Sequence, residues 1–228
     1  MTYPRALAID LDGTIAFKDS RIDPVCIDPL RSLVKDIPVI IATGNTVCYA
    51  MSAAVLLGTD RTVIAENGGV IKVGRDGVEI TNGYGEGCRR AYNILKEEME
   101  LEPLDWDQRR SDVALRRNVS VDELSKRLRQ IDPFLEVVDS GLALHIKDKR
   151  INKGEGLKII SEIIEVDLAD FAAIGDSNND IEMLKMVGMG FAVGNASDAL
   201  KEVADVVLEN EYGRGVLEAI RMFKTDAV

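Results

Sequence analysis

Asp10 and Asp12, in the run Asp10-Leu11-Asp12-Gly13-Thr14, follow directly on the apolar stretch Ala6-Leu7-Ala8-Ile9. A stretch of that length and character reads as a buried parallel strand, which puts both carboxylates at its C-terminal end. Open α/β sheets bind their ligands there. A carboxylate so placed can attack phosphorus and form an acyl phosphate. A second, two residues on, can trade a proton with the leaving group and then with water. Acidic residues at strand ends also cap helices and shape turns, so the pair gains its meaning from partners elsewhere in the chain.

Three further groups supply those partners. Thr43-Gly44-Asn45 closes the apolar run Val39-Ile40-Ile41-Ala42 and leads into a helix. A hydroxyl beside exposed N–H groups at a helix N-terminus suits an anion, although Thr43 or Asn45 can equally cap the helix. Asn152-Lys153-Gly154 opens another helix. A lysine in a first turn works against the helix dipole unless it meets an anion, and a phosphate would be one. Ile174-Gly175-Asp176-Ser177-Asn178-Asn179-Asp180 ends a strand and starts a helix. Asp176 lies in its loop and Asp180 one turn along, so both can point at the spot reached by Asp10. Oxygen-only ligands of this kind suit Mg²⁺, which commonly takes one or two carboxylates plus phosphate and water. Together, Asp10 attacks in line, Thr43 and Lys153 hold the equatorial oxygens, and Mg²⁺ offsets the negative charge.

The elements that must position these groups alternate strand and helix. Strands are expected at Ala6–Ile9, Val39–Ala42 and Thr62–Ala65, with a helix over Thr46–Leu57 and a hairpin from Val70 to Ile80 around Gly74-Arg75-Asp76-Gly77. The pattern then changes. A helix over Glu86–Glu100, a strand within Asp112–Arg117, a helix opened by the capping box Ser120-Val121-Asp122-Glu123, and strands Phe134–Val138 and Leu142–Lys147 make a compact α+β insert. Alternation resumes with helix Gly154–Glu165, strand Phe171–Ile174, helix Asp180–Met186, strand Gly190–Val193, helix Ala196–Val203, strand Asp205–Leu208 and helix Gly215–Phe223. The reading is an α/β protein: a Rossmann-like parallel-sheet core over 1–83 and 152–228, interrupted by a small α+β cap over 84–151.

Composition narrows the class. Over 228 residues, 46% hydrophobic and 29% charged describe a globular chain with one substantial core and room for a satellite. Lys plus Arg number 28 against 39 for Asp plus Glu, a net −11 that argues against nucleic-acid binding. The apolar helix Val47–Leu57 is too short to span a bilayer. No secretory signal precedes Asp10, so a cytoplasmic setting is expected and the Asn118 and Asn195 Asn-x-Ser matches carry no weight. Cys26, Cys48 and Cys88 are scattered and read as reduced thiols. His145 is the single histidine, which leaves carboxylates to carry acid/base work.

Asp10-x-Asp12-Gly13-Thr14, Thr43-Gly44, Lys153 and Gly175-Asp176-x-x-Asn179-Asp180 resemble the four motifs of the haloacid dehalogenase superfamily of phosphohydrolases. Glu66-Asn67-Gly68-Gly69, the insert, and Val193-Gly194-Asn195-Ala196 are similar to its branch with an α+β cap. The short cap and overall length look most like the archaeal-type phosphoglycolate phosphatases. The resemblance implies Asp10 as nucleophile and Asp12 as general acid/base, with its main-chain oxygen on Mg²⁺. It implies Asp176 and Asp180 at the same metal, and Thr43, Gly44, Asn45, Lys153 and Asn179 on the phosphate side. Asn45 stands where many relatives carry Arg, a change at the edge of the phosphate pocket.

The implied activity is Mg²⁺-dependent hydrolysis of a small phosphorylated metabolite, 2-phosphoglycolate first, by a monomer or homodimer. A sugar or sugar-acid phosphatase is the alternative, with a phosphomutase and a non-catalytic phosphate-binding protein further off. Phosphoglycolate carries a carboxylate, for which Arg109, Arg110, Arg116 and Arg117 are the cap candidates. Each is expected in solvent in its own right; Arg116 and Arg117 would face opposite sides of a strand. Trp106 either covers the pocket or packs the cap, and His145 is read as structural.

Overall fold

A computed structural model describes residues 3–225. The first half of the chain lays down β1 (Ala6–Asp10), α1 (Ile27–Leu33), β2 (Val39–Ala42), α2 (Val47–Leu57) and β3 (Val63–Ala65). β1 to β3 are buried along their whole length and apolar except for Asp10 at the end of β1, as strands covered on both faces must be. The hairpin β4 (Val70–Lys72) and β5 (Glu79–Thr81) is not free-standing. β4 pairs antiparallel with β3, with Ile64 opposite Ile71, and so extends the main sheet.

The inserted part carries α3 (Gly85–Leu95), β6 (Pro103–Leu104), β7 (Val113–Leu115), α4 (Val121–Ile131), β8 (Leu135–Asp139) and β9 (Leu144–Asp148). Its four strands form a separate antiparallel sheet in the order β6-β7-β9-β8. Cys88, Ala91, Tyr92 and Leu95 recur at helical spacing on α3 and join Leu124, Leu128, Leu144 and Ile146 in a core distinct from the main one. Ser120 accepts the Glu123 N–H, as the capping box predicts.

The chain returns through α5 (Lys153–Ile164), β10 (Phe171–Gly175), α6 (Ile181–Met186), β11 (Met189–Ala192), α7 (Asp198–Lys201), β12 (Val206–Val207) and α8 (Tyr212–Thr225). The main sheet runs β12-β11-β10-β1-β2-β3-β4-β5, parallel from β12 to β3. β1 is flanked by β2 on one side and by β10, from the far end of the chain, on the other. This reversal of strand order opens a crevice at the C-terminal end of β1, where Asp10 stands.

Several expected elements differ. α1 has no counterpart in the periodicity reading, because Pro24 and Pro29 punctuate it. Pro29 is tolerated as the third residue of the helix, within the first turn. The helix expected over Ala196–Val203 contracts to α7, capped by Ser197. The Asp112–Arg117 strand narrows to β7, so Arg116 and Arg117 lie beyond it.

Candidate active site

Four chain segments meet at the crevice. After β1 the chain turns tightly, with the N–H groups of Ile15 and Ala16 both donating to the Leu11 carbonyl. Gly13 sits at φ +95°, and a Cβ there would fall 2.2 Å from Asp176 Oδ2, so no other residue lets this loop approach Asp176 so closely. Thr14 Oγ1 donates to Asp176 Oδ1 at 3.4 Å. After β2, the Thr43 hydroxyl accepts from the Asn45 N–H and donates to Asp12 Oδ2 at 3.3 Å, while Asn45 Nδ2 donates to the same oxygen at 2.8 Å. The loop Thr43–Asn45 precedes α2, which starts only at Val47.

Lys153 is the first residue of α5, capped by Asn152, whose side chain accepts from the Glu155 N–H. Its side chain is 0% exposed and Nζ donates to Asp10 Oδ1 at 2.5 Å and Asp180 Oδ1 at 2.7 Å. The anions that offset its placement at a helix start are therefore carboxylates of this site. Asp180 Oδ2 in turn accepts the N–H groups of Asp176 and Ser177. Asn179 donates through Nδ2 to Asn67 Oδ1 and lines the cavity above Asp10.

Ligand oxygens of Asp10, Asp176 and Asp180 lie within 4.8 Å of one another, with one ammonium, that of Lys153, bonded among them. Burial drives the Asp10 carboxyl well above the ordinary carboxylate range; Lys153 opposes the rise, and Asp180 and Asp176 add to it. Asp176 is pushed up to about 6, by burial first and Asp180 next. Burial also raises Asp12, against Lys153, Asn45 and Thr43. For Lys153 burial works downward, but Asp10 and Asp180 hold its pKa above the usual range. Asp10 Oδ2 is buried without a hydrogen-bond donor. An oxygen-only donor set, surplus negative charge and a donorless buried carboxylate oxygen fit a hard divalent cation such as Mg²⁺. The Asp12 side chain stands outside this three-carboxylate cluster, committed to Thr43 and Asn45.

The inserted sheet roofs the site. A cavity of about 160 Å³ is lined by Asp10, Asp12 and Asn45 below and by Arg109, Leu142 and His145 above. Of the four candidate arginines, only Arg109 lines it. Arg109 is 4% exposed, contrary to the expectation of a solvated side chain, and donates to the Gly44 carbonyl and to Asp112 Oδ1. Arg110 pairs with Glu79, Arg116 with Glu102 and Arg117 with Asp139 on the outside. Trp106 packs the cap, tilted against Tyr92 with ring centroids 4.8 Å apart and under Arg89. His145 is both buried against Asp112, through Nδ1 at 2.9 Å, and a lining residue, so the structural reading of it was incomplete.

Glu66 entered the sequence reading only as part of Glu66-Asn67-Gly68-Gly69, and Asp112 only as the start of a strand. Glu66 is fully buried and its carboxylate accepts the N–H groups of Arg110 and Ser111 and the Ser111 hydroxyl, tying the core to the insert. Glu66 and Asn67 sit at φ +50° and +55°, and a Cβ on Gly68 would fall 2.0 Å from the Asn152 carbonyl. The Asn67-Gly68-Gly69 run signalled such a turn; nothing in it signalled the partner 44 residues on.

A parallel sheet with chemistry at its switch point, roofed by an inserted α+β layer, defines a phosphohydrolase-type scaffold, and comparison places the chain. It belongs to the haloacid dehalogenase-like hydrolase family, whose model matches residues 7–102 and 89–220. It is 41% identical to a phosphoglycolate phosphatase of Archaeoglobus fulgidus, over 97% of each chain, and 42% identical to one of Methanococcoides burtonii, over 95% of each. The fold matches a crystal structure of Thermoplasma acidophilum 0175 at TM-score 0.88 and 24% identity, covering 97% of this chain and 98% of that one. It also matches a haloacid dehalogenase-like hydrolase of Bacteroides thetaiotaomicron at TM-score 0.81 and 20% identity, over 96% and 99%. Among the described residues, no helix is long and apolar enough to cross a membrane.

Proposed function

We propose that this phosphoric monoester hydrolase converts 2-phosphoglycolate and water to glycolate and phosphate, through an aspartyl phosphate on Asp10. The observation that carries the substrate is the small roofed cavity. At about 160 Å³ it is close to the ~150 Å³ that accommodates benzene, and it carries two basic side chains on its roof. A two-carbon phosphoacid matches that size and charge. The names of the archaeal relatives support the same substrate.

In this reading an Asp10 oxygen attacks phosphorus as the ester P–O bond breaks, and Asp12 gives its proton to the departing glycolate oxygen. Burial raises the Asp12 carboxyl above the ordinary carboxylate range, the direction that favours a proton donor. Water, losing a proton to Asp12, then attacks phosphorus and releases Asp10 and inorganic phosphate. Thr43, Gly44, Asn45, Lys153 and Asn179 orient the phosphoryl oxygens. Asp10, Asp176, Asp180 and the Asp12 carbonyl would hold Mg²⁺, which supplies charge neutralisation at the transferring group. Phosphate release from a panel of 2-phosphoglycolate, sugar phosphates and nucleotides, with Mg²⁺ and with chelator, tests it. A Mg²⁺-dependent preference for 2-phosphoglycolate by kcat/KM is expected. A sugar-led profile overturns the substrate, and an isomer formed without free phosphate overturns hydrolysis.

A further inference from the structure

The roof contains a buried three-residue chain that the hydrolytic steps do not use. Arg109 and Asp112 meet at 2.8 Å, and Asp112 and His145 at 2.9 Å, all three nearly inaccessible to solvent. Asp112 is held below the ordinary carboxylate range despite burial, because His145 and Arg109 bond to it, so it is the acceptor in both contacts. The proton between Asp112 and His145 therefore sits on Nδ1, and the far ring nitrogen, Nε2, is the one left over. Nε2 has no hydrogen-bond partner and is not among the sealed unpaired atoms, so the 3% of His145 that stays exposed includes it, in the cavity. Arg109 also retains an unpartnered buried Nε. A polar network this deep in a small cap is stabilising only when its polar atoms are satisfied, and Arg109 Nε and His145 Nε2 have no partner.

We infer that His145, held by Asp112, is the residue that reads the substrate's carboxylate. Acting as the imidazolium, with one proton on Nδ1 toward Asp112 and a second taken up on Nε2, it donates Nε2–H to a carboxylate oxygen at the end of the cavity away from Asp10, and Arg109 adds positive charge beside it. The inference rests on the phosphoglycolate reading and deepens it. The floor carries Asp10 and Asp12, and Asp105 also lines the cavity, so an anionic tail is favoured only beside Arg109 and His145, the basic side chains of the lining. Asp112 is a positioning residue: by accepting from Nδ1 it fixes which way the ring points and leaves Nε2 toward the substrate.

The test compares 2-phosphoglycolate with 2-hydroxyethyl phosphate, which has an alcohol where the former has a carboxylate. Wild type is expected to prefer 2-phosphoglycolate, and His145→Ala to lower that kcat/KM ratio about 10- to 100-fold, as loss of one charge-assisted hydrogen bond would. His145→Gln, which keeps an N–H donor, is expected to recover part of it. A ratio that His145→Ala leaves intact overturns the inference alone. A wild-type ratio near one overturns the substrate reading beneath it. Should the variants not fold, the wild-type protein still decides, because His145 is its only histidine and gives one set of ring signals. The non-hydrolysable 3-phosphonopropionate is expected to shift the Nε2 resonance while 3-hydroxypropylphosphonate does not. Binding of both, confirmed by their own ³¹P signals, with no difference at Nε2 would overturn the assignment. Asp112→Asn is expected to move the ring nitrogen shifts toward the other tautomer, which a role in packing alone would not do.

Discussion

The floor and the roof of the cavity solve opposite electrostatic problems. Below, Asp10, Asp176 and Asp180 crowd around one lysine, so burial and mutual repulsion lift Asp10 and Asp176. Above, one carboxylate, Asp112, is held between an arginine and a histidine and is lowered. The floor has a surplus of negative charge that a divalent cation would offset. On the roof Arg109 offsets Asp112 and keeps Nε as a donor to spare. In the proposed reading, transfer chemistry and substrate choice are built from the same residue types with the balance of charge reversed.

Three experiments break or sharpen that contrast. Asp10→Asn removes the nucleophile and is expected to lower kcat on the order of 10⁴-fold or more, read by phosphate release with folding checked by circular dichroism. Near wild-type turnover would dismantle the floor assignment. Arg109→Ala leaves Asp112 as a buried anion short of one partner and breaks the link to Gly44. A loss of about 3–5 kcal/mol in urea unfolding is expected, against less than about 1 kcal/mol for the exposed Arg116→Ala. Equal effects would mean that the roof network is not special.

The third separates floor and roof by pH. Asp176 titrates near 6 in the folded, metal-free protein and near 3.8 unfolded, so the unfolded state binds fewer protons between those values. Stability of the metal-free protein should therefore rise as pH falls through 6 toward 4, by ~1–3 kcal/mol. Asp112 has the opposite sign. Its contribution is complete above its unfolded value and is lost as pH falls through its lower folded value, so stability should drop again in stronger acid. Urea midpoints from pH 7 to pH 3 with chelator present would show the maximum; a curve that only falls from pH 7 would contradict the floor's repulsion.

The two regions also differ in how legible they were. Asp10, Thr43, Lys153 and Asp176 each stand within a few residues of a buried strand or a helix start, so short-range pattern places them, and strand order brings them together. Periodicity gave nearly every main-sheet strand but missed α1, where two prolines interrupt the pattern. The roof was opaque. Arg109, Asp112 and His145 come from a loop, a strand edge and another strand 33 residues on, and only the β7–β9 register, Ala114 opposite His145, makes them neighbours. Arg109 and Arg110 are adjacent in sequence, yet one is buried in the cavity and the other is on the outside. No local rule separates them, because the choice is made by Gly44 and Glu79 in the core.

Glu66 holds the insert mainly by main-chain N–H groups, a kind of group every residue but proline supplies. A joint of that sort is nearly blind to the side chains it grips. Substitutions among the roof's side chains that keep those N–H groups in place should therefore leave the joint intact.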